Sequence, residues 1–169
     1  MNLMKMAEDV AELPLSVAIS TGMPWQWAFP TIETLHLISI ATVFGSIALL
    51  DMHLLGVGEV GRSVSKLSAE LLPITWIAFL SAVITGLLMF IAGAPDYISN
   101  LYFKLKIGAI LLAGLNMLIF QFGIFRSVNE WDLQQPPPNA ARVAGLLSIL
   151  CWISVIFLGR WIGFTLDTF

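Results

Sequence analysis

The chain has 169 residues, 58% of them hydrophobic and 11% charged, with a formal net charge of −3 and a mean hydropathy of +0.89. An ordinary soluble domain is roughly 25% charged, so this composition describes an integral membrane protein, and eight scattered Lys and Arg exclude a nucleic-acid-binding surface. A hydrocarbon core about 30 Å thick needs roughly 20 apolar residues per helix, and every backbone polar group inside it must be satisfied; the chain therefore has room for about four spans and short loops.

Residues 1–29 open with Lys5 and then carry Glu8, Asp9 and Glu12, so they lack the uninterrupted apolar core of a cleaved signal. Met4, Val10, Leu13 and Leu15 alternate with these charges, and Trp25, Trp27 and Phe29 follow. That pattern predicts a retained segment lying in the membrane interface. Residues 30–169 form the second unit, a transmembrane domain.

Its first span runs from about Pro30, which suits a first helical turn, to Leu55. It carries Glu33, His36, Asp51 and His53, hence both histidines of the protein. Ionisable groups are costly in a membrane core and mark functional positions by default. Gly56, Gly58, Gly61, Glu59, Arg62 and Lys66 read as a solvated loop over 56–68. The second span, Glu70 to Gly93, has Pro73 near its start and Trp76 as an anchor. The turn Ala94 to Asn100 is short, which predicts that spans two and three are antiparallel neighbours. The third span, Leu101 to Phe125, opens with Tyr102, Lys104 and Lys106 and is followed by Arg126. Three successive prolines, Pro136 to Pro138, make the next loop extended, and Asn139 is the expected N-cap of a fourth span, Ala140 to Thr165, that contains Arg160. The expected fold is all-α: an antiparallel four-transmembrane-helix bundle with an N-terminal interfacial segment.

Arg62, Lys66, Arg126 and Arg142 flank the first and third loops, against Lys5 and Lys104 near the boundary of the other face, a modest excess. The bias of basic residues puts those loops in the cytoplasm of a bacterial inner membrane and both termini in the periplasm.

Counting depth from the middle of each span at 1.5 Å per residue brings His36, Met89, Lys106 and Arg160 to one level, roughly 10 Å from the midplane, with Glu33 a turn further out. Glu33 and His36, three apart, share a helix face. A Glu33 carboxylate facing Lys106 or Arg160 would offset their desolvation. The competing structural reading is that the layer only holds helices together, since interhelical hydrogen bonds contribute roughly 0.6 to 2 kcal/mol each and Lys near helix ends snorkels outward. His53 lies roughly 25 Å along the helix from His36 and is turned about 100° from it, so it reads as interfacial. Asp51, only about 60° from His36 in projection, faces the bundle interior, where Arg126 or Arg142 is its expected partner. Gly159 and Gly163 have the small-xxx-small spacing that permits close helix contact or homo-oligomerisation. Cys151 has no disulfide partner. No phosphate loop, nucleophile elbow or zinc-type spacing is present, and with no acid/base pair beside a nucleophile the sequence does not read as an enzyme acting alone.

The pieces AELPLSVAI, WAFPTIETLHLISIATVFGSIALLDMHLLG, TGLLMF, FKLKIGAILLAGLN, the PPP loop and GRWIGF, in this order, resemble a bacterial four-span family of unknown function that is loosely similar to the copper-resistance D membrane proteins. ETLH and GRWI are the most specific parts. The resemblance implies the fold, the membrane location and, by analogy, copper handling. It places Glu33, His36, Asp51, Lys106, Asn116 and Arg160 on motif positions. His53 and Gln121 depart from a pattern that carries Arg and His there, so neither is expected to act.

Three functions follow as expectations. The first is a metal or proton module in which His36 and Met89, imidazole and thioether, are ligands suited to copper. The second is a redox subunit with haem b on His36 and its propionates on Lys106 and Arg160. The third is an accessory subunit whose polar layer is structural and whose apolar surface meets lipid and other membrane or periplasmic subunits.

Overall fold

In the computed structural model the described residues are 3–57, 63–132 and 136–166, the side chains at 129 and 130 excepted. Gly58, Glu59, Gly61 and Arg62 of the first loop lie outside them. The helices are α1 (Leu3–Ala11), α2 (Pro14–Thr21), α3 (Ala28–Leu54), α4 (Val64–Ala92), α5 (Ala94–Ser99), α6 (Leu101–Phe122), α7 (Val128–Trp131) and α8 (Asn139–Thr165), with a 3₁₀ turn at Ile124–Ser127. Among the described residues four helices are long and apolar enough to cross a membrane: α3, α4, α6 with the turn that follows it, and α8. At 1.5 Å per residue, 27 residues of α3 reach about 40 Å, more than a hydrocarbon core requires. The molecule is a multi-pass membrane protein with an all-α four-span fold.

The N-terminal segment is helical and fastened to one end of the bundle. Pro14 occupies the first turn of α2, where no N–H is needed. Gly22 ends it at φ +69, where an added Cβ would meet the Gln26 Cα at 2.9 Å. Between these ends the buried Ser16 hydroxyl donates to the Ile91 carbonyl in the last turn of α4, at 2.8 Å. That bond satisfies one of the carbonyls a helix C-terminus leaves open.

The spans form two pairs. α4 packs along α3, α6 packs along α8, and the pairs meet through α3 and α8. The expectation that spans two and three pack as neighbours is corrected here. Helix α5 stands between them rather than a tight turn, and their ends meet through stacked Phe90 and Phe103, 5.5 Å between centroids, with the Tyr97 ring 5.4 Å from Phe103.

Two further sequence expectations shift by a few residues. α4 begins at Val64, earlier than Glu70, because Ser63 caps it by accepting from the Lys66 N–H at 3.2 Å. Asn139 lies inside α8 rather than capping it, and Pro138 takes the cap position. The asparagine that does cap a span is Asn100, which accepts from the Tyr102 and Phe103 N–H groups at 2.9 and 3.2 Å.

The tightest core sits at one end, where Leu54, Val64, Phe120, Val128, Trp131, Ala141 and Ala144 cluster. The opposite end holds the start of α3 and the end of α8.

Candidate functional site

The polar groups of α3 recur at 36, 39 and 46, spacings of three and seven that put them on one stripe of the helix. That stripe faces α4. The His36 Nδ1 lies 2.9 Å from the Thr85 Oγ1, the Ser39 hydroxyl donates to the Ser81 Oγ at 2.8 Å, and the Thr75 hydroxyl donates to the Ser46 Oγ at 2.7 Å. Hydroxyls suit this seam because one that accepts across it can turn its own proton to its helix, as Thr85 does to the Ser81 carbonyl at 2.7 Å and Ser46 to the Thr42 carbonyl at 2.9 Å. The seam has a dry gap. Val43, 1% exposed, and Ala78, 8% exposed, separate the two upper bridges from the lower one.

His36 is half-buried, with its ring laid on Gly86. An added Cβ at Gly86 would stand 3.0 Å from the imidazole Cε1. The Ala82 carbonyl accepts from the ring as well. A carbonyl can only accept, so the imidazole turns an N–H toward α4.

Lys106 runs along Gly159 of α8, its Nζ 3.3 Å from the position a Cβ would take there. Its charge acts on His36 across the space between the two helix pairs. Lys106 is the member of the predicted layer whose charge reaches His36.

The remaining members of the predicted layer are distributed around that place. Glu33 is exposed and acts on Tyr97 of α5. Burial pushes the Tyr97 phenol above its ordinary value, and the negative charges of Glu33 and Asp96 push it the same way. Arg160 is exposed, its guanidinium 4.8 Å from the centroid of Phe164. No ion pair of Glu33 with Lys106 or Arg160 is found among the described residues. Met89 lines a cavity of about 160 Å³ shared with Ser20 of α2, Phe29, Gly93 and Tyr97. Asn116 donates from Nδ2 to the Ala144 carbonyl at 2.9 Å and so ties α6 to α8. Asp51 lies at the far end of α3, 5% exposed, hydrogen-bonded to Ser148 of α8. Arg126, one of its two expected partners, is exposed.

Sequence reasoning missed Thr85, Gly86 and Tyr97. Its available signal was the run of small and hydroxylated residues at 75, 78, 81, 82, 85 and 86, which recurs at helical spacing in an otherwise bulky span.

For a metal, the site offers one imidazole, with a thioether one turn along α4 and a cation close by. Among the described residues no three His, Cys, Asp or Glu side chains are grouped so as to hold an ion. The site does offer an imidazole bonded to a hydroxyl, with the Lys106 side chain acting on it from the other helix pair.

The model of a family described as "Family of unknown function (DUF6644)" matches residues 24–165. No curated protein and no solved structure matches the chain.

Proposed function

The chain belongs to this family of unknown function, and we propose that it is a non-enzymatic membrane protein whose His36 site exchanges protons with the aqueous phase at its own end of the bundle. The observation that carries the reading is the joint placement of His36 and Lys106: an imidazole bonded to Thr85, within the field of an ammonium group that comes from the other helix pair. Histidine is the side chain whose charge changes nearest neutral pH. A neighbouring ammonium opposes a positive charge on the ring, so the imidazole takes up a proton most readily when an anion offsets Lys106. The copper form of the reading keeps His36 and Met89 as ligands, but Lys106 opposes it, because a cation repels a metal ion unless a carboxylate intervenes. The basic residues Lys66, Arg126 and Arg142 lie at the opposite end, which supports a bacterial inner-membrane location with the His36 end and both termini toward the periplasm.

A second reading is favoured by the same cations. Lys106 and Arg160, neither paired with a carboxylate among the described residues, suit anionic groups such as the propionates of haem b, with His36 as an axial ligand.

Reconstitution of the full chain in vesicles carrying an internal pH dye tests the proposal. Proton movement under an imposed gradient is expected for the wild type and is expected to fall at least tenfold in His36→Gln. Wild-type flux no greater than that of protein-free vesicles overturns it. A Soret band in the purified protein transfers the site to haem. Stoichiometric copper that is lost in His36→Ala transfers it to metal. A wild-type flux unchanged in His36→Gln leaves the seam with a helix-holding role only.

A further inference from the structure

Asp51 is the buried titratable group that the His36 site does not use. It occupies the last turns of α3 at 5% exposure, and its Oδ2 is buried with no hydrogen-bond partner, while the carboxyl also bonds Ser148. The surroundings are close and apolar. α8 comes so near that a Cβ on Gly145 would stand 3.1 Å from the Asp51 carbonyl oxygen and 3.3 Å from the Leu54 Cβ. Leu54, Ala141 and Ala144 belong to the tight core at this end.

The same end holds a second orphan. Arg142, one turn along α8 from Gly145, has a buried Nε that also lacks a partner. Among the described residues no ion pair joins it to Asp51. The other charged or titratable groups toward this end of the packed helices are His53, two positions along α3 and with an interaction of its own, Lys66 and Glu70 of α4, both exposed, and Cys151 of α8.

An ionised carboxylate here would keep one oxygen without a donor in an apolar enclosure, at a cost of several kcal/mol. A carboxylic acid is uncharged, bonds Ser148 through one oxygen and carries its hydrogen on the other. The geometry suits the acid. We propose that Asp51 is a proton-binding site at the closed end of the α3 and α8 seam, and that Arg142 is the counter-charge its carboxylate takes when the proton leaves. The step is balanced: the O–H bond of the carboxyl breaks, the proton passes to the aqueous loop side, and the negative charge left behind pairs with the guanidinium. Fifteen positions of α3 separate Asp51 from His36, about 22 Å at 1.5 Å per residue, so each site is tested by its own substitution.

Infrared spectroscopy of the full chain in lipid nanodiscs tests this. A protonated-carboxyl C=O band is expected at neutral pH, lost in Asp51→Asn and retained in His36→Gln, a result that stands whatever His36 does. In Arg142→Gln the band is expected to persist to higher pH, because the counter-charge is gone. Thermal melting supplies the second readout: Asp51→Asn, which keeps the shape and the neutral charge, is expected to melt with the wild type, whereas Asp51→Arg is expected to melt lower. The absence of a band removed by Asp51→Asn overturns the proposal. So does an Asp51→Asn midpoint as low as that of Asp51→Arg, which would mark a paired carboxylate.

Discussion

At the scale of single residues, the seat of His36 depends on what α4 lacks. Gly86 has no side chain, and the imidazole occupies the place where one would be. The Gly86→Ala methyl would stand 3.0 Å from Cε1, so the ring or the helix must shift. Overpacking of this kind costs about 1–3 kcal/mol. Thr85→Val removes only the hydrogen bond and is expected to cost about 0.6 kcal/mol, the average for interhelical bonds in membranes. Thermal denaturation of both variants in detergent checks the order; a Thr85→Val loss larger than that of Gly86→Ala would mean that the bond, not the fit, seats the ring. His36 itself was legible in the sequence, because an ionisable residue inside an apolar run stands out. Gly86 and Thr85 were not, because small residues are common in membrane helices and only a neighbour gives them meaning.

At the scale of elements, the ends of the helices are set by side chains from elsewhere in the chain. The N-terminus of α4 is held by Asp132, which follows α7. Its carboxylate accepts from the Ser63 hydroxyl at 2.6 Å, from the Ser65 hydroxyl, and from the Val64 and Ser65 N–H groups. A negative charge there also complements the positive end of the helix dipole. Burial pushes the Asp132 carboxyl up, but the Ser63 and Ser65 hydroxyls and the two N–H groups outweigh it and hold the carboxyl below its ordinary value. The folded value is therefore lower than the unfolded one of about 3.9. The resulting stabilisation is present above that unfolded value and is lost as pH falls through the folded one. The thermal midpoint of the wild type is expected to drop at acid pH. Asp132→Asn is expected to cost about 1 kcal/mol at neutral pH and to flatten the acid drop, as a melting series across pH would show. An acid drop of equal size in the variant would assign it to another group. Local cap signals did not single out Ser63 or Asn100, and they misassigned Asn139. Capping depends on backbone angles, and the chain of prolines before Asn139 carries α8's cap to Pro138.

At the scale of the whole molecule, the four spans are two pairs joined through α3 and α8, open between α4 and α6 except where Phe90 and Phe103 meet. Cysteine cross-linking checks this arrangement. With Cys151 replaced by Ser, Ser39→Cys with Ser81→Cys is expected to oxidise readily, since the native hydroxyl oxygens are 2.8 Å apart. Ile77→Cys with Leu111→Cys is expected to stay reduced, because both positions are strongly exposed on helices of different pairs. The reverse result would refute the pairing. Composition and apolar run length determined the membrane class and the number of spans, because the bilayer thickness sets those quantities for each helix alone. Which helices touch was decided only by tertiary structure, since apolar faces look alike to lipid and to protein. The partners followed from that choice: His36 acquired Thr85 and Gly86, Lys106 acquired Gly159, and Asp51 acquired Ser148 in place of a basic residue. No spacing along one span could have named them, because each lies on a different helix.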